Sequence, residues 1–461
     1  MTVYSPITCE GGNPEALLVK PCDELTDGGC ELVIIRYTLD QYWLDCSPEL
    51  SLIAYYHLAR EHGTIVIHFA VAEASRGMSL LDVSIPSDPW DAFQYLAQQL
   101  SLPTFSAHQP IPLLSVNIAK PWGQEVWFTG IEQRGVAGAG NANQQSPLPY
   151  VLSALPGKLC GNRHRHLILL KILDPLPEEI FGDLYFELHQ EKREVYVVTH
   201  VDPLAWPGGE GAIRFGFCAK KRQGFNNDNE FRQAFLSAVS DYEITRREID
   251  QLIDRQRSLA SLGDNEPVDA GQLKAWLSLV PLDLTREELK KRQYMESFTD
   301  SLPLSVGDVI KVPCLTPHSL QHGVRTIEFQ TPVYERLIVS FAQKVLTQQH
   351  WDTEEAVRLM SLEQQSPEPH MPILVEPGLD IQRIVDFEDF EVRRVSLDSG
   401  ISMSINSPES YGVLMAIDHG IIIDGSLVEP ESALLLPGSC HLLVLTNSSP
   451  KTACFLLAFP K

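Results

Sequence analysis

Basic residues are scarce in this 461-residue chain: 36 Lys and Arg stand against 60 Asp and Glu, a formal net charge of −24. A field of that sign repels phosphate polyanions, which argues against a general nucleic-acid binder. It leaves room for a small anion held by a local cluster of cations. Long apolar runs are missing as well. No stretch approaches the roughly 18 apolar residues of a membrane span, so no membrane partner is expected. The nine cysteines form no C-x-x-C pair and follow no regular spacing. An odd, scattered set points to reduced thiols in a cytoplasmic protein. The opening MTVYSPITCEGG has neither the basic nor the apolar part of a secretory signal, in line with that compartment.

What is present is ordinary globular material, 44% hydrophobic and 21% charged, in a length that suggests two to four domains. Residues 1–109 read as an N-terminal α/β region of unassigned role. Segments 31–36 and 64–70 are β-rich. The spacing of Leu50, Leu52, Ile53, Tyr56 and Leu58 predicts a helix over 48–61, and 90–100 predicts another. His57, His62 and His68 share no ligand spacing, and no metal is expected there.

From about residue 110 short strands with turn signals take over, including a small-residue loop at 137–147. His164-Arg-His166 precedes an apolar strand at 167–173. No carboxylate follows it on a matched strand, so it reads as a polar strand start. Phe231, Ala234, Phe235, Ala238 and Val239 show three/four spacing, and 244–259 and 285–295 are helical too. This block, at about 222–302, reads as a helical insertion within one β domain spanning 110–362. A Gln/Pro/Ser-rich linker at 363–372 leads to 373–461. There the runs 412–417, 420–423 and 433–436 argue for a second β-sandwich or barrel. The chain is therefore expected to be mainly β.

Chemistry concentrates in 183–200, DLYFELHQEKREVYVVTH. Strand side chains alternate with period two, so Glu187 and His189 share a face. After the polar turn 190–193, Glu194, Tyr196, Val198 and His200 share a face of the returning strand. A hairpin would bring Glu187, His189 and Glu194 together at one end. A distant segment, GDVIKVPCLTPHSLQHG, offers His318 after a proline-rich corner. Two imidazoles and two carboxylates suit Zn2+, and also Fe2+ or Mn2+.

The spacing Glu187-x-His189-x4-Glu194, with Pro313-Cys-Leu-Thr-Pro-His318, resembles the two metal motifs of the cupin superfamily. More narrowly, it resembles the class I mannose-6-phosphate isomerases. In that family a Gln-x-His pair ends a strand, a Lys-x-Glu follows, and a Pro-Ala-Gly-Thr-x-His segment supplies the last ligand. The corresponding stretches here are Glu187-Leu-His189, Lys192-Arg-Glu194 and Pro313 to His318. Segment 169–174 (LLKILD) resembles the family's Lys-containing strand. Lys120-Pro-Trp-Gly resembles an N-terminal segment, and 326–339 (TIEFQTPVYERLIV) resembles the strand bearing the catalytic Arg, here Arg336. The resemblance covers about 112–461.

It implies two cupin (jelly-roll) β-sandwich domains. The first would bind metal through Glu187, His189, Glu194 and His318. The second would be degenerate, with Pro437-Gly-Ser-Cys-His441 as a faint echo of the last motif. The implied activity converts mannose 6-phosphate to fructose 6-phosphate, with a small phosphorylated sugar as partner and the oligomeric state left open. Such isomerisation moves a proton between C1 and C2 through an enediolate. Arg336 or Lys192 would add positive charge beside the metal, and Glu328 or His200 would act as base. Departures are specific. Glu187 stands where the family has Gln, Leu315 replaces a Gly, and the 189–194 connection is short. The stretch from Glu328 to Arg336 lacks an Asp, for which Glu335 is the substitute. A sugar-binding cupin without activity and an Fe-dependent cupin oxygenase are the competing functions.

Overall fold

The computed structural model describes residues 4–10, 12–77, 85–157, 167–263, 266, 268–363, 369–405, 410–440 and 443–461. His164, His166, His441 and residues 364–368 of the 363–372 linker lie outside these. The chain divides into two compact units, 1–116 with 127–170 and 370–461, and 117–126 with 171–369.

The first unit begins with a five-stranded sheet in chain order: Ile7–Thr8, Cys30–Asp40, Glu49–Glu61, Thr64–Glu73 and Phe105–Ser106. The helix predicted over 48–61 is instead its central strand. Glu49–Glu61 pairs along its length with both neighbours. A central strand covered on both faces has no polar face, so its apolar run loses the period-two signature and mimics helical spacing. The helix expected over 90–100 does form, as Pro89–Gln99. Asp88 caps it by accepting from the Trp90 and Asp91 amides at 3.0 Å each, and Pro89 occupies the first turn, where no amide hydrogen is needed. Its buried Phe93 and Leu96 join Leu32, Ile34, Ile53, Tyr55 and Ala70 in one core.

The remainder of this unit holds a nine-stranded sheet and a four-stranded sheet. The larger runs Gln145–Pro147, Gly138–Gly140, Ile111–Leu114, Ala433–Leu436, Gly412–Ala416, Ala453–Pro460, Phe390–Leu397, Leu379–Asp386, Met371–Glu376. The smaller runs Ser402–Ile405, Leu443–Asn447, Ile421–Ile423, Ser426–Val428. Val395, Leu414, Leu445, Phe455 and Leu457 form the core of this sandwich. The stretch expected as a loop at 137–147 is a small hairpin, with Gly138 opposite Pro147 and Gly140 opposite Gln145.

The second unit is a sandwich of two antiparallel sheets. One runs Val309–Val312, Glu194–Val201, Val324–Gln330, Leu169–Pro175, Gly123–Trp127, Val116–Lys120. The other runs Thr299–Leu304, Gly211–Phe217, His318–Leu320, Phe186–Leu188, Leu337–Ser340. Leu188, Val198, Ile213, Phe215, Val324 and Ile338 share the core. The helices Ala219–Arg222, Asp228–Leu259, Ala270–Leu277 and Leu282–Glu296 join Gly211–Phe217 to Thr299–Leu304; the second of them is the longest, at 32 residues. Those two strands pair directly, Ile213 opposite Leu302. The helices are therefore an insertion at the tip of a strand pair. Asp228–Leu259 buries Phe231, Phe235, Ala238, Val239 and Tyr242, a stripe at helical spacing. Among the described residues no helix is long and apolar enough to cross a membrane. The mainly-β expectation, two jelly-roll sandwiches with a helical insertion and an N-terminal α/β region, describes this architecture.

Candidate metal centre

The predicted 183–200 hairpin does not form. Phe186–Leu188 pairs with His318–Leu320 and Leu337–Ser340, while Glu194–Val201 lies in the opposite sheet. Residues 189–193 carry the chain from one sheet to the other. Alternation fixes which face a side chain takes, not which strand it pairs with. The result brings the same residues together by a different route: Glu187 is directly opposite His318 in the ladder, and Glu194 reaches them across the sandwich.

The crossing is held by Glu335. Its carboxylate accepts from the amides of Gln190, Glu191 and Lys192 at 2.7, 3.0 and 3.2 Å. Its carbonyl accepts from His189 Nδ1 at 2.9 Å. Leu315, at the family's Gly position, takes a left-handed φ of 63° and donates its amide to the His189 carbonyl at 2.6 Å. That backbone conformation is strained for a branched side chain and explains why glycine suits the position.

His318 Nδ1 donates to the Thr316 carbonyl at 3.0 Å. Both histidines thus give their Nδ1 hydrogen to a carbonyl, which leaves Nε2 of the neutral ring as a lone pair. Both Nε2 atoms face one carboxylate. His189 Nε2 is 3.2 Å from Glu194 Oε1, and His318 Nε2 is 3.1 Å from Glu194 Oε2. Lone pairs facing carboxylate oxygens need a proton or a cation between them. His189 Nε2 and Glu187 Oε2 are buried with no hydrogen-bond partner. The ligand atoms of Glu187, His189 and His318 lie within 4.8 Å of one another. Glu187, His189 and His318 are therefore a group that could hold a divalent ion, with Glu194 set against both imidazoles.

The electrostatics agree. Burial would raise the Glu194 carboxyl, but Lys192 Nζ at 2.9 Å and then the two imidazoles hold it well below its ordinary range. Burial lowers His189, and the Lys192 charge lowers it further. Burial opposes protonation of His318 too, yet its hydrogen bond and charge pairing with Glu194 raise it. Beside this carboxylate lies a buried polar row. Lys171 Nζ donates to Gln330 Oε1 at 2.7 Å and lies 4.0 Å from Glu328 Oε2. Lys120 pairs with Glu125 at 3.0 Å. Burial, ahead of the opposing Lys171 charge, pushes the Glu328 carboxyl up to about 8. Glu328 is opposite Tyr196 in the ladder.

Arg336 lies on the more open side, its guanidinium 3.8 Å from Glu187 and over the Tyr185 ring. His200 is not in the cluster. The register shifts between Val198 and His200, breaking the predicted alternation, and His200 ends exposed at the far end of its strand. Sequence reasoning gave no role to Lys171, Glu125 or Tyr196. Tyr196 was legible as two residues beyond Glu194 on the same face. The lysine's partners come from strands far along the chain, which spacing cannot show.

No family model matches this sequence, and no curated protein matches it. Solved structures do. The mannose 6-phosphate isomerase from Bacillus subtilis superposes with a TM-score of 0.53 at 13% identity, covering 76% of this chain and 99% of that one. The fold is that of the phosphomannose isomerases. A single-residue mutant of the phosphomannose isomerase from Salmonella typhimurium gives 0.52 at 14% identity, with coverages of 76% and 99%. A zinc-bound mannose 6-phosphate isomerase gives 0.51 at 12% identity, again with 76% and 99%. At such identities the likeness establishes the phosphomannose isomerase fold and nothing finer.

Proposed function

We propose that this protein is a metal-dependent aldose–ketose isomerase of a phosphorylated sugar, with mannose 6-phosphate and fructose 6-phosphate as the substrate pair. One observation carries the reading: two imidazole lone pairs and two carboxylates face one another on a phosphomannose isomerase fold, beside buried Lys192, Lys171 and Glu328. Glu187, His189, Glu194 and His318 would hold the metal. Zn2+ is the first choice, with Fe2+ or Mn2+ as alternatives. A bound divalent ion supplies polarisation of the substrate's carbonyl and hydroxyl oxygens.

The remaining steps belong to side chains. Glu328 is the base that moves the proton between C1 and C2. A carboxyl near 8 changes protonation close to working pH, where general acid–base exchange is efficient. Lys192 stabilises the negative charge that develops on the enediolate. Arg336, on the open side, adds a second cation for the anionic substrate. We assign 117–126 with 171–362 as the metal-binding cupin domain, in place of the expected 110–362, since 111–114, 138–140 and 145–147 belong to the sheet of 371–460, and 373–461 as part of its degenerate counterpart, in a cytoplasmic enzyme.

The test is metal analysis joined to a coupled assay for mannose 6-phosphate conversion. About one divalent ion per chain and turnover with Zn2+, Mn2+ or Co2+ are expected. A protein that binds metal but turns over none of these combinations is a non-catalytic cupin or an oxygenase, and the isomerase reading falls.

A further inference from the structure

Tyr196 was not among the expected ligands, yet its hydroxyl is inside the cluster. The phenol oxygen lies 2.7 Å from Glu194 Oε2 and 3.1 Å from His318 Nε2. Those two atoms are themselves 3.1 Å apart. Three donor atoms about 3 Å from one another have the mutual separation of neighbouring ligands on one ion, each bound at about 2.0–2.2 Å. A phenol carries a single hydrogen, so it cannot serve both neighbours as donor. A cation placed against this triangle would satisfy all three oxygen and nitrogen lone pairs together. The ring is held for that purpose. Tyr196 is 3% exposed and sits between Ile310 and Glu328 in the ladder. It follows Glu194 by two residues, so strand geometry aims both at the same space.

We propose that the Tyr196 phenol oxygen is a fifth protein ligand of the metal, an inference that rests on the metal centre of the proposed function. It has a consequence for metal choice. Two imidazoles, two carboxylates and a phenol form an oxygen-rich set with too many members for a closed tetrahedron. Six-coordinate Fe or Mn accommodates them and keeps one position for substrate. Zn2+, the first choice when four ligands are counted, would leave one of the five unused, so a fifth ligand moves the preference to Fe or Mn.

The probe is Fe3+, added at one equivalent to the full chain after chelator stripping. Coordination forms the iron–oxygen bond with an oxygen lone pair and releases the phenol proton to solvent, so no oxidant is needed. A tyrosinate-to-iron charge-transfer band in the visible is expected. It disappears in Tyr196→Phe and persists in Tyr185→Phe, whose hydroxyl serves as the control. Co2+ gives a second readout. Tyr196→Phe keeps one Co2+ per chain but shows stronger visible absorption, because losing a ligand lowers the coordination number. A chain that holds Fe3+ without the band, or keeps the band in Tyr196→Phe, overturns the inference and leaves the isomerase reading intact. A wild-type chain that binds none of these ions overturns both.

Discussion

Two clusters of sheltered histidines in this protein differ in what surrounds them. In the Glu187–His318 centre each ring has its Nδ1 fixed by a carbonyl, and each Nε2 meets a carboxylate oxygen. In the N-terminal sheet His57 and His68 face each other across a strand pair, with ring centroids 6.0 Å apart. Trp90 packs edge-on to both, at 4.9 and 5.0 Å. There both nitrogens of His57 and Nδ1 of His68 are buried without hydrogen-bond partners. Burial lowers both rings, each further lowered by a neighbouring histidine. The charges of Asp88 and Glu61 offset that lowering only in part. Buried imidazoles alone make a neutral, aromatic-packed patch. Carbonyls behind them and a carboxylate in front suit the same side chain to metal ligation.

The contrast breaks most visibly in metal content. His189→Ala or His318→Ala should take the protein from about one ion per chain to almost none. The double variant His57→Gln/His68→Gln should keep the full complement. Equal losses in the two sets, measured by elemental analysis, would erase the distinction.

Next in size is the effect of Lys192. Its ammonium is buried against Glu194, so Lys192→Met leaves an uncompensated carboxylate and should cost the metal-free protein about 3–5 kcal/mol. Added metal restores charge balance and should recover much of that stability. Denaturation with and without metal reads both values. A variant as stable as wild type when metal-free would show that the pair does not matter.

The smallest effect is in pH dependence, where Glu328 and the His57–His68 pair should slope in opposite directions. Glu328 keeps its proton in the folded state to about 8, against 4.5 unfolded. Its contribution to metal-free stability is full below about 4.5 and is lost as pH rises towards 8. The lowered rings of His57 and His68 bind protons more weakly folded than unfolded. Their contribution is full above 6.5 and is lost as pH falls below it. Glu328→Gln should flatten the alkaline limb alone, and His57→Gln/His68→Gln the acid limb alone. A limb unchanged in its own variant would assign it elsewhere.

Much of the centre was legible before any fold. Period two placed Glu187, His189 and Glu194 at strand ends, and the distant Pro-x4-His supplied His318. The predicted partner was wrong, because 186–188 meets 318–320 rather than 194–201. The helix predicted at 48–61 failed for a related reason: a strand buried on both faces carries no polar rhythm. Helical spacing at 231–239 succeeded because that helix keeps one face wet along most of its length.

Local chemistry is what the sequence determined by itself: the candidate ligand types, the face each takes on its own strand, and the position of the helical insertion. These follow from backbone geometry within a few residues. Only the tertiary structure decided that Glu187 stands against His318, that Glu335 caps the crossing, and that Lys171 lies beside Glu328 and Gln330. Those contacts join segments far apart in the chain. They arise when two sheets bury their inner faces together, a choice no short stretch of sequence contains.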